Sequence, residues 1–146
     1  MRRLRPGDWI VLLGALAVPV TLALDWFEPA RSGYDALGWL ALALLLLIAG
    51  LGLVVVLLIA AGKRDAVNLP PAVFLAALTP FVLLITLVVV LMKPGDATGI
   101  AAGGWVGLLA MAVLTFGAWR SIGDERTDQR SRQIPLPPAR PAPPAS

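Results

Sequence analysis

Cysteine and histidine are both absent from the 146 residues. Without cysteine there is no disulfide framework, no thiol chemistry and no haem attachment; without either residue there is no Cys/His zinc site. The missing histidine also removes the one side chain whose unperturbed pKa lies near neutrality. Charge is scarce: Asp, Glu, Lys and Arg make up 14% of the chain, against about 25% in a soluble domain. What is abundant is apolar. Hydrophobic residues account for 58% and the mean hydropathy is +0.83. That balance excludes an ordinary water-soluble domain, and it excludes intrinsic disorder as the main state. At this length one domain is expected.

Four stretches carry no Asp, Glu, Lys or Arg: Trp9 to Leu24, Leu37 to Gly62, Ala66 to Met92, and Ala97 to Trp119. A helix needs about 20 apolar residues to cross a bilayer. The last three stretches meet this, and the first is short, with Asp25 placed to reach the headgroups. Runs such as Leu44 to Ile48 and Leu53 to Ile59 lack the in/out alternation of a β-barrel strand. The expected fold is therefore all-α membrane: a four-helix transmembrane bundle with a disordered proline-rich C-terminal tail. Its parts are a basic N-terminus (1–8), a first span (9–24), an outer loop (25–36), a second span (37–62), an inner loop (63–69), a third span (70–92), an outer loop (93–98), a fourth span (99–119) and the tail (120–146). The first span has a rival: Arg2, Arg3 and Arg5 before an apolar run also describe a signal peptide. No clean cleavage site follows, Thr21-Leu22-Ala23 being the nearest candidate.

Basic residues fix the expected orientation. Arg2, Arg3, Arg5, Lys63, Arg64, Arg120, Arg126, Arg130, Arg132 and Arg140 fall on one side, and only Arg31 and Lys93 on the other. The positive-inside rule then puts both termini in the cytoplasm. Trp9, Trp26, Trp39, Trp105 and Trp119 all fall near expected span ends, where an amphipathic ring is stable, so they are assigned as interfacial anchors.

Asp8 is placed to cap the first helix, and Asn68 to Pro71 start the third. Pro19 and Pro80 each remove a backbone hydrogen bond inside a span and are candidate kinks or hinges. Gly99, Gly103 and Gly107 recur every four residues, which puts one bare face on the fourth helix. That face serves packing within the bundle or a seam between copies. Thr21, Thr79, Thr86 and Thr115 are the hydroxyls inside the spans, and no acid or base accompanies them. Ion and proton pathways normally mark themselves with buried ionisable groups. Their lack argues against proton-coupled transport, intramembrane proteolysis and quinone redox chemistry.

Asp25, Glu28, Asp35 and Asp96 gather in the outer loops without a metal-binding spacing. No catalytic residue, metal site, cofactor, nucleic-acid motif or small-molecule substrate is indicated. Ile134 to Ser146 holds six of the thirteen prolines, and Pro135, Pro138, Pro141 and Pro144 keep P-x-x-P spacing, as a polyproline II ligand would.

Several local patterns fit one known class: the basic start Arg2 to Trp9, the exit Asp25-Trp26-Phe27, Ser32-Gly33-Tyr34-Asp35-Ala36 before the second span, and Trp119-Arg120-Ser121-Ile122 with Asp124-Glu125-Arg126. In these the chain resembles the small uncharacterised four-helix integral membrane proteins of actinobacteria and other high-GC bacteria. The resemblance implies a multi-pass protein of the bacterial plasma membrane and carries no activity. The expected function is non-enzymatic: an interaction or accessory component whose partners are the lipid bilayer and another membrane protein or a second copy. The alternative is a small oligomeric transporter or channel.

Overall fold

The structure, a computed structural model, describes residues 4–61 and 71–131, with side chains described for 4–61 and 72–123. The expected start at Asn68 to Pro70, the inner loop and the P-x-x-P segment lie outside these residues.

The chain is mostly helical. In order it runs α1 (Pro6–Leu22), β1 (Asp25–Glu28), β2 (Arg31–Ser32), α2 (Gly33–Ala36), α3 (Trp39–Ala60), α4 (Pro71–Met92), β3 (Gly99–Ile100) and α5 (Ala102–Ser131). Residues 39–60, 72–92 and 102–123 are each long and apolar enough to cross a membrane. α1, at 17 residues, is a shorter apolar helix. Each long helix packs on two others: α1 and α4 both lie against α3 and α5.

These helices are apolar on every side, so what is buried is decided by packing and not by polarity. Burial still follows the helical period. In α1 it falls on Val11, Gly14, Ala15, Val18 and Leu22; in α3 on Ala41, Leu45, Ile48, Gly52, Val55 and Ile59. On α5 the buried face includes Gly103, Gly107, Ala110, Leu114, Gly117 and Ser121. The opposite faces leave Leu40, Leu47, Leu57, Phe74, Phe81, Leu109 and Phe116 exposed. Monomeric water-soluble proteins rarely expose apolar surface on this scale, and the exposure is compatible with helices that cross a membrane.

Between α1 and α3 the chain does not stay a loop. β1 pairs antiparallel with β2 (Asp25 with Ser32, Phe27 with Arg31) and with β3 (Phe27 with Ile100, Glu28 with Gly99), giving the strand order β2-β1-β3. The Glu28–Pro29 peptide bond is cis at the turn into β2. Backbone bonds from Thr98 N–H to Glu28 O (2.8 Å) and from Ala101 N–H to Trp26 O (2.9 Å) extend this join between the two expected outer loops. Ser32 caps α2, its hydroxyl accepting from Asp35 N–H.

Two boundaries move. Residues 120–131, expected in the disordered tail, continue α5. A helix already nucleated by a packed apolar segment extends cheaply, so the extension forms although Ser, Thr, Asp and Gly, weak helix formers, make up half of it. At the other end α1 begins at Pro6 with Arg5 at the N-cap, so Asp8 serves the helix start from the third helical position, its carboxylate accepting from Arg5 N–H in a capping box.

Candidate functional site

Among the described residues no cleft gathers reactive groups, and the features left to consider are the helix faces and the polar groups buried among them. The tightest helix contact is between α1 and α5. A Cβ on Gly14 would stand 2.7 Å from Leu114 Cα, and one on Gly117 would stand 2.7 Å from Val11 N. Gly52 of α3 joins this seam, 3.1 Å from Ala15 Cβ by the same measure. Small residues let apolar helices approach until their backbones touch, which is where van der Waals attraction is strongest.

The glycine triplet is split by the fold. Gly99 lies in β3, against Glu28, and not on the helix that its spacing suggested. Gly103 and Gly107 are on α5 as expected, but a Cβ at Gly103 would overlap Asp25 O and one at Gly107 would overlap the Trp26 ring. Their missing side chains make room for β1.

Trp26 is correspondingly displaced from its expected role. Its ring is 1% exposed, wedged over Gly107 and Gly33, and is no anchor facing the surroundings. Its Nε1–H donates to Thr21 O at 2.7 Å, a carbonyl of the C-terminal turn of α1 that also accepts from Leu24 N–H at 3.1 Å. With that bond made, an indole can be buried as a hydrophobe. Phe27 is buried beside it, because the pairing of β1 shifts register between Asp25 and Phe27 and breaks the strict in/out alternation. Trp9, Trp39, Trp105 and Trp119 do present exposed rings.

Among the described residues the buried polar groups are few. Asp8 is 1% exposed, accepting from Arg5 N–H (3.0 Å) and from Ser121 Oγ (3.1 Å), so it ties the start of α1 to α5. Thr21, Thr86 and Thr115 donate one turn back, to Val18, Val82 and Met111 carbonyls. Thr79, fully buried beside Pro80, has no hydrogen-bond partner. Next to it, Trp119 Nε1–H donates across to Ala76 O at 3.1 Å. An open cleft of about 380 Å³ adjoins this bond, lined by Val73, Ala76, Ala77, Trp119, Ile122 and Gly123.

On the sheet side, Asp25, Glu28, Asp35 and Asp96 are exposed, and Asp35 accepts from Ser32 Oγ at 2.7 Å. Among the described residues no three acidic side chains converge to hold a metal ion. Sequence reasoning missed the Asp8–Ser121 pair and the Gly14 and Gly117 contacts. Their signal was present only as a polar residue at each end of two apolar runs, and as isolated glycines without a repeat.

Comparison with family models, with curated proteins and with solved structures finds no match.

Proposed function

We propose that this chain is a multi-pass integral membrane protein of the plasma membrane, a four-helix bundle with both termini cytoplasmic and the β1–β2–β3 sheet outside, which works without catalysis as an interaction or accessory component. One observation carries this. The hydroxyls of Thr21, Thr86 and Thr115 are turned back onto their own helices, while the outward faces are apolar. Such a surface offers lipids and other helices a shape to pack on and offers a passing solute no polar path. Sorted basic residues support the orientation. The experiment is purification in several mild detergents: a fixed stoichiometry with one membrane partner is expected, and recovery of this chain alone from all of them overturns the proposal.

The buried, unpartnered Thr79 is what favours the alternative, an oligomeric transporter or channel. In that case flux of a small solute into proteoliposomes would change with Thr79→Val. Flux at the level of empty liposomes would remove that alternative.

A further inference from the structure

The open cleft between α4 and α5 is apolar: Val73, Ala76 and Ala77 line it from α4, and Trp119, Ile122 and Gly123 from α5. Two alanines and a glycine leave the helices an open volume of about 380 Å³ between them. One side of it is held in place. Pro80 has no amide hydrogen to give the carbonyl four residues back. That carbonyl, of Ala76, accepts from Trp119 Nε1–H at 3.1 Å. The bond fixes the indole beside the cleft while leaving Trp119 64% exposed.

Beyond the cleft α5 becomes charged, and its charges are sorted. Arg126 lies one heptad past Trp119 and Arg130 one heptad past Gly123, so helix register puts both on the cleft-lining face. Asp124, Glu125 and Asp128 stand about 120° or more around the helix from that stripe. The sorting does not serve the helix itself. Within residues 124–131 the charged pairs at i,i+4 and i,i+3 spacing are Arg126 with Arg130, Asp124 with Asp128, and Glu125 with Asp128. All are of like sign, and such pairs destabilise a helix. An anion beside Arg126 and Arg130 relieves the first of them.

We infer that this face is a binding site for an anionic phospholipid, with an acyl chain in the α4–α5 cleft and the phosphate at the level of Arg126 and Arg130. The inference rests on the proposal that the chain spans a membrane. The depths then agree. Residues 102–123 rise about 33 Å as a helix, which matches a hydrocarbon core of about 30 Å. Arg126 follows in the headgroup layer, and the cleft lies just beneath it. Along α5 the face therefore changes from apolar to basic in the order in which a lipid presents its chain and its phosphate. A basic site beside a cleft between helices, at the membrane surface, suits an anionic headgroup. A zwitterionic lipid brings its own cation and leaves the arginine pair less well neutralised.

The test is lipid retention, read by native mass spectrometry. Full-length protein is reconstituted into nanodiscs of equal parts phosphatidylglycerol and phosphatidylcholine and ejected from them in the spectrometer, and the lipids that leave with it are counted. The expected result is an excess of phosphatidylglycerol. Arg126→Gln and Arg130→Gln should each cut that excess by about fivefold, the effect of one arginine near a membrane surface. Arg120→Gln removes the same charge off the stripe and should leave the excess unchanged. Ala77→Leu fills the cleft and should lower phosphatidylglycerol retention with all the arginines in place. Equal retention of the two lipids by the native protein overturns the site, as does an undiminished excess in both Arg126→Gln and Arg130→Gln. An equal loss in Arg120→Gln overturns it too, since net charge alone would then explain the preference. A dimer that Ala77→Leu dissociates would put a second copy in the cleft instead of a lipid. Protein that fails to enter the nanodiscs overturns the membrane proposal itself, and this site with it.

Discussion

A tryptophan leaving water needs a cavity for its ring and an acceptor for its N–H. Trp26 finds the first over Gly107 and Gly33 and the second in the Thr21 carbonyl. Trp26→Phe keeps most of the ring bulk and removes this hydrogen bond, while Thr21 O keeps Leu24 N–H as a donor, and should lower stability in detergent by about 1 kcal/mol. Trp26→Ala should cost about 3–5 kcal/mol through the cavity it leaves. Thermal unfolding of the two variants side by side measures both. Gly107→Leu would drive a side chain into the same ring, so loss of the folded monomer is expected. A folded monomer with altered self-association would instead place this face between copies. Asp8 holds two donors at once. Asp8→Ala strands both, and should destabilise more than Ser121→Ala, which removes one; about 2–3 against about 1 kcal/mol is the expected order. Equal costs would mean that the tie between α1 and α5 does not run through the carboxylate.

At the scale of the element, the α1–α5 seam rests on backbone proximity. Gly14→Leu and Gly117→Leu each insert four carbons where 2.7 Å is available. Each should therefore abolish folding, while Gly50→Leu, on the exposed face of α3 with nothing within 4 Å, should be tolerated. Expression with size-exclusion chromatography separates the three. Apolar run lengths alone located the long helices in the sequence but not all of their ends, α5 running twelve residues past the expected Trp119. The seams were not legible, because lipid accepts apolar residues on the outer face and no polar stripe marks the inner one. Repetition exposed Gly103 and Gly107, but Gly14 and Gly117 stand alone and only the fold pairs them. The sheet was hidden for a different reason. Strands of four, two and two residues are too short for alternation to register, and the shift between Asp25 and Phe27 buries two neighbours in a row. Charge density in residues 120–131 resembled a solvated tail, yet the same residue types extend a helix that packing has already started.

For the whole molecule, the fold brings Asp8 near the start of α1 to Ser121 of α5, so these two ends share one side. The sheet joins the opposite ends of α1 and α5 through β1 and β3. α1 also supplies Val11, Ala15, Val18 and Leu22 to the core, and removing it would uncover Gly117 and Leu114. Retention of α1 is therefore expected, and N-terminal sequencing of the membrane-extracted protein should find no start within or just after α1; a start after Ala23 would make the segment a cleaved leader. The central claim is the threading: four crossings, with the sheet on one side of the membrane and both termini on the other. A chain without cysteine is suited to testing it, since each introduced thiol is the only one present. Ser32→Cys, on β2, and Thr127→Cys, on the extension of α5, are labelled in intact cells with a membrane-impermeant maleimide. Labelling of Cys at position 32 before permeabilisation, and at position 127 only after it, is the predicted result. Labelling of both positions from the same side would contradict it.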